Sequence, residues 1–110
     1  MAIDKNEILE RDFSTIHGVL ISIFNTGVLL TGKSGIGKSE TAIELVFRGH
    51  KLVSDDAVEL SVSGTKLYGK APDNIRHLME IRGVGIIDVK ALYGKRSVMD
   101  KSQVELVIEL

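Results

Sequence analysis

Gly32-Lys33-Ser34-Gly35-Ile36-Gly37-Lys38-Ser39 fits the pattern G-x-x-x-x-G-K-[ST], the Walker A phosphate loop, at every constrained position. The chemistry follows from the residue types. Glycines let the backbone wrap a phosphate so that successive N–H groups point inward, and the following helix adds positive potential from its N-terminus. Lys38 supplies a point charge to the β and γ phosphates, and the Ser39 hydroxyl can ligate Mg²⁺. A side chain of this kind faces solvent or ligand, so replacing Lys38 is expected to cut turnover by orders of magnitude and leave folding intact. Sixteen residues after Ser39 stands the pair Asp55-Asp56. Adjacent carboxylates repel unless a cation is near, so one would hold Mg²⁺, directly or through water. The other would act as a general base toward an incoming hydroxyl. His17 and Glu80 are weaker candidates. A single His on an apolar strand is most often structural, and Glu80 lies four residues after Arg76, the spacing of an exposed ion pair on a helix.

These groups must be brought together by secondary structure, and the pattern supplies it. Residues 15–23 are β-branched and apolar, Asn25-Thr26-Gly27 offers turn chemistry, and Val28-Leu29-Leu30-Thr31 is a second apolar run, which reads as a hairpin. After the loop, Ala42, Ile43, Leu45, Val46 and Phe47 recur at helical spacing, and Gly49 ends the helix. Lys51-Leu52-Val53-Ser54 reads as the next strand, so residues 27–54 form a βαβ phosphate-loop unit. Both the loop and the Asp pair then lie beyond the carboxyl ends of parallel strands, where open α/β sheets bind ligands. A further hairpin turns at Ser63-Gly64. Pro72-Asp73 is expected to open a short helix with Ile75, Leu78 and Met79 on one face, broken by Gly83 and Gly85 in a constrained turn. Residues 104–110 read as a last strand that runs to Leu110 with no turn or cap, as though the chain were cut. Residues 1–13 read as a helical or irregular lead-in to a domain over 14–110.

At 110 residues the chain has room for one domain. Its 44% apolar and 26% charged residues fit a soluble globule, with no run long enough to span a membrane and no secretory signal. The absence of cysteine agrees with the cytoplasm. Fourteen basic against fifteen acidic residues, with 5% aromatics, give no polyanion-binding surface, so nucleic acid is not the expected partner. The residues alone therefore point to an α/β phosphate-loop fold with a mixed sheet that binds Mg²⁺-nucleotide and transfers a phosphoryl group to an acceptor they do not name.

Four segments together resemble the catalytic domain of HPr kinase/phosphorylase, the bacterial regulator of sugar uptake. They are Ser14-Thr15-Ile16-His17-Gly18; the phosphate loop continuing into Glu40-Thr41-Ala42; Gly49-His50 with Ser54-Asp55-Asp56; and Met79-Glu80-Ile81-Arg82-Gly83-Val84-Gly85-Ile86-Ile87-Asp88. The last is the most specific, departing only at Val84, where leucine is common. The resemblance implies a P-loop fold similar to that of phosphoenolpyruvate carboxykinase. It also implies a kinase that transfers phosphate from ATP, or in some members pyrophosphate, to a serine of the phosphocarrier HPr, and that runs the reverse phosphorolysis. Residues 32–39 would bind the nucleotide, with Lys38 on the transferring group. Ser39 and Glu80 would hold Mg²⁺, and His17 would sit by the phosphates. Asp56, with Asp55 beside it, would take the serine's proton and return it in phosphorolysis, while residues 79–88 would line the site. Family members form hexamers. Their catalytic domain continues past the position matched by Leu110, through an arginine and a basic loop tied to phosphorolysis and HPr contact. An impaired nucleotide-binding module and a P-loop kinase for a small metabolite are the alternative readings.

Overall fold

The computed structural model describes residues 14–110; the expected lead-in over residues 1–13 lies outside the described residues. Among the described residues, ten strands, two α-helices and two 3₁₀ turns stack in three layers. The middle layer is a mixed sheet in the order β10-β3-β2-β4, formed by β10 (Leu106–Glu109), β3 (Thr26–Thr31), β2 (Val19–Ile23) and β4 (Lys51–Ser54). The outer sheet is antiparallel, β1 (Ser14–His17), β5 (Ala57–Ser63), β6 (Lys66–Lys70) and β9 (Lys101–Gln103). On the opposite face lie α1 (Lys38–Phe47), the hairpin of β7 (Leu78–Ile81) with β8 (Gly85–Asp88), and α2 (Val89–Tyr93).

The strands β2, β3 and β4 of the middle sheet are buried on both faces, which is why they are largely apolar in sequence. Along them the side chains alternate between two cores. Val19, Ile21, Val28, Leu30 and Leu52 meet Ala42 and Val46 of α1, Met79 of β7 and Val89 of α2. Leu20, Leu29 and Val53 point the other way, onto Val58 of the outer sheet. The strands β3 and β4 run in the same direction, since each is antiparallel to β2, and α1 crosses between them. The βαβ unit therefore forms as expected, with β2 inserted between its strands. The Gly49 stop also holds: α1 ends at Phe47, and Gly49 follows at φ 98° with its N–H on the Val46 carbonyl at 3.0 Å.

Several expectations are corrected. The apolar run 15–23 is two strands in different sheets, divided at Gly18, where the Gly18 N–H donates to the Asp56 carbonyl (2.9 Å) and a Cβ would stand 2.9 Å from the Leu30 carbonyl oxygen. The first hairpin turns at Phe24-Asn25, both at positive φ, so Thr26 and Gly27 already belong to β3. The expected helix after Pro72 shrinks to a single 3₁₀ turn, Asp73–Ile75, and Leu78 and Met79 begin a strand. Apolar residues at i, i+3 and i+4 fit either a helix or a turn and strand, and pairing with β8 decides the matter by burying Met79. Glu80 consequently sits on a strand, and the helical Arg76–Glu80 pair does not form. The last run is strand only over Leu106–Glu109, parallel to β3, and the polar β9 carries no signal in its sequence.

Candidate active site

The phosphate loop leaves β3 at Gly32, whose φ of 136° and close neighbour, the Leu110 carbonyl oxygen 2.9 Å from where a Cβ would be, both require glycine. It re-enters regular structure at Gly37, the left-handed N-cap of α1, with no side chain capping the helix. The first-turn N–H groups of α1 are thus left to a ligand, and a phosphate at that point would meet them directly. Lys38 differs from expectation. It is buried, and its Nζ donates to the carbonyls of Gly32 and Lys33 at 2.8 Å each, so it braces the loop. Its loss would remove two charge-assisted hydrogen bonds and therefore cost stability as well as chemistry, by about 1–3 kcal/mol.

Beyond β4 the two aspartates part company. Asp55 is buried at 3% exposure; its Oδ1 accepts from the Ser39 hydroxyl at 2.7 Å and its Oδ2 from the Glu80 N–H at 3.2 Å. Burial pushes its carboxyl above the ordinary carboxylate value, with the negative charge of Asp56 in the same direction, against hydrogen bonds from the Ser39 hydroxyl and from the Glu80 and Asp56 backbone that lower it. Asp56, at φ 73°, turns its side chain outward, 75% exposed, with Oδ1 3.3 Å from Nδ1 of His17. The backbone bond from Gly18 to Asp56 fixes this pairing, because it pins the end of β1 beside the end of β4.

The third contributor is the β7–β8 hairpin, closed by the Val84 N–H on the Ile81 carbonyl (3.0 Å), with Gly83 at φ 82° and Gly85 at φ 110°. One cavity of about 590 Å³ is walled by all three groups: Ser34, Gly35, Gly37, Lys38 and Ser39; His17 with Asp56; and residues 80–85. Not every residue in 79–88 lines it. Met79 is core at 1% exposure, Ile87 packs against that core, and Asp88 caps α2 by accepting from the Ala91 N–H at 3.0 Å. Ile86 opens onto a neighbouring cleft that also reaches Ser39, Asp55 and Asp56. Of the loop itself, Gly32 and Lys33 hold Lys38, and Ile36 is exposed at its tip. Glu40 and Val19 also line the cavity, and no motif had singled them out for the site; Glu40 could have been found from its place in the first turn of α1.

The donor set suits a hard divalent cation. A buried carboxylate beside a hydroxyl, with Glu80 lining the same neighbouring cleft, offers oxygen ligands at a place where burial alone disfavours the negative charge. Among the described residues no three His, Cys, Asp or Glu side chains form a closed cage.

A strand, glycine loop and helix, with an acidic pair just after the next parallel strand, β4, define a P-loop α/β domain of the kinase type. The model of the family described as HPr Serine kinase C-terminal domain matches residues 10–110. The HPr kinase/phosphorylase of Caldanaerobacter subterraneus subsp. tengcongensis is 61% identical over 97 residues, covering 87% of this chain and 32% of that protein. That of Thermoanaerobacter sp. (strain X514) is 59% identical with the same coverage. The solved structure of the Hpr(Ser) kinase/phosphatase from Coxiella burnetii superposes with a TM-score of 0.84 at 40% identity, over 87% of this chain and 58% of that one. The chain belongs to the HPr serine kinase C-terminal domain family, and spans about a third of the length of the curated relatives it matches.

Proposed function

We propose that this chain carries the nucleotide and phosphoryl-transfer site of an ATP-dependent protein-serine kinase acting on HPr in the cytoplasm, with phosphorolysis as the reverse reaction. The observation that carries the reading is the single cavity shared by the phosphate loop, the His17–Asp56 pair and the β7–β8 hairpin, since phosphoryl transfer needs a phosphate cradle and a proton acceptor within one reach. The loop and first-turn N–H groups would hold the nucleotide phosphates, and Lys38 would shift its Nζ from the loop carbonyls to the transferring group. Ser39, Asp55 and Glu80 would hold Mg²⁺, which when bound neutralises charge on the phosphates.

In the forward direction the serine Oγ bonds to the γ-phosphorus, the bond to the β,γ-bridging oxygen breaks to release ADP, and the serine's proton passes to Asp56. Asp56 suits this role better than Asp55. Its carboxylate is exposed to the cavity and oriented by His17, whereas both oxygens of Asp55 are already engaged. In phosphorolysis an oxygen of inorganic phosphate bonds to the phosphoserine phosphorus to form pyrophosphate, the bond from phosphorus to the serine Oγ breaks, and Asp56 returns the proton to that oxygen. A homo-oligomer, hexameric in the family, belongs to the same reading.

The test is incubation of the chain with HPr, ATP and Mg²⁺, read by mass spectrometry, beside Asp56→Asn. Phosphoserine on HPr is expected, with a rate lowered at least 100-fold in the variant while nucleotide affinity stays within about threefold. Nucleotide binding with no phosphoserine would favour a binding module, and ATP consumed only with a small acceptor would favour a metabolite kinase.

A further inference from the structure

Arg82 stands at the tip of the β7–β8 hairpin, directly after β7, and its guanidinium reaches across the cavity to the phosphate loop. A Cβ placed on Gly35 would lie 3.1 Å from Arg82 Nη2, so the fork rests against the loop's own backbone at a residue that has no side chain to hold it off. Among the described residues no carboxylate lies within ion-pair distance of it. Lys38, the other cation on this wall, is committed to two carbonyls beneath the loop. A phosphate seated on the loop would therefore have backbone N–H groups on one side and a guanidinium on the other.

We propose that Arg82 is a nucleotide-binding residue that contacts the terminal phosphate of the bound triphosphate and so makes the site prefer ATP to ADP. The inference deepens the nucleotide reading of the cavity and rests on it. A guanidinium is suited to the task, because its planar fork donates two parallel hydrogen bonds to two oxygens of one phosphate, while an ammonium offers only a point charge. Its hairpin is separate from the loop, so it can add a contact beyond those the loop makes to phosphates common to ATP and ADP. No proton or bond changes hands in this contact.

Calorimetric titration of ATP and of ADP, each with Mg²⁺, into the full chain, Arg82→Gln and Arg82→Lys tests it without needing HPr. Arg82→Gln is expected to weaken ATP about tenfold or more and ADP less than twofold, with Arg82→Lys between the parent and Gln for ATP. Because Arg82 is exposed, unchanged melting midpoints in both variants will show that the fold is intact. Equal losses for the two nucleotides, or none for either, would overturn the assignment while leaving the nucleotide reading in place. Failure of the unaltered chain to bind either nucleotide would overturn both.

Discussion

Asp55, between Ser39 and Glu80, shows what burying a carboxylate does to stability. Asp55 is held by the Ser39 hydroxyl and the Glu80 N–H, yet burial leaves its carboxyl titrating above the ordinary value. Between the unfolded and folded pKa values the native state binds the extra proton, so in divalent-free buffer the stability Asp55 contributes falls as pH rises through that window. Asp55→Asn removes the charge while keeping both contacts, since an amide can accept from the Glu80 N–H and donate to the Ser39 oxygen. The expected result at neutral pH without divalent ions is a melting midpoint raised by roughly 2–5 °C and less dependent on pH, together with loss of Mg²⁺-dependent nucleotide binding. A lower midpoint would mean that the charge itself stabilises the empty site. The Walker A pattern and the Asp pair were legible in the sequence because each is a local string. The division of labour between Asp55 and Asp56 was not, because it depends on which carboxylate β4 turns toward Ser39.

The elements meet through backbone contacts that only glycine permits. At Gly27, near the start of β3, a Cβ would stand 1.7 Å from the Gln103 carbonyl oxygen, and the Gly27 N–H donates to the Glu105 carboxylate at 3.1 Å. Gly27→Ala should therefore force β9 and β3 apart and lower unfolding free energy by about 3 kcal/mol or more. Gly64→Ala, in the β5–β6 turn at φ 65° with open space around it, should lose only about 1 kcal/mol, for the backbone conformation alone. Urea denaturation midpoints separate the two, and similar values would mean that β9 yields easily. The sequence showed Gly27 only as part of a turn. Its real constraint comes from Gln103, seventy-six positions away, so no local pattern could contain it.

At the scale of the whole molecule the open feature is β10, which among the described residues is the edge of the middle sheet and pairs with β3 alone, with Leu106 50% exposed, Val107 57% and Ile108 40%. An apolar strand with one free backbone edge is a template for another strand. Sedimentation velocity of the isolated chain should show self-association that grows with concentration and that Val107→Lys reduces; an unchanged profile in the variant would place the contact elsewhere. No helix among the described residues is long and apolar enough to cross a membrane.

By itself the sequence determined the phosphate loop, α1 and its glycine stop, β4 with the Asp pair directly after it, and the family, because each depends on neighbours a few positions apart. The tertiary structure alone decided that residues 78–81 are strand, that Lys38 braces its own loop, and that Arg82 overlies Gly35. In each of these the deciding partner is brought in by the fold: β8 pairing and the burial of Met79 override a helical spacing, the curl of the loop presents its carbonyls to Lys38, and chain crossover carries the hairpin over the loop.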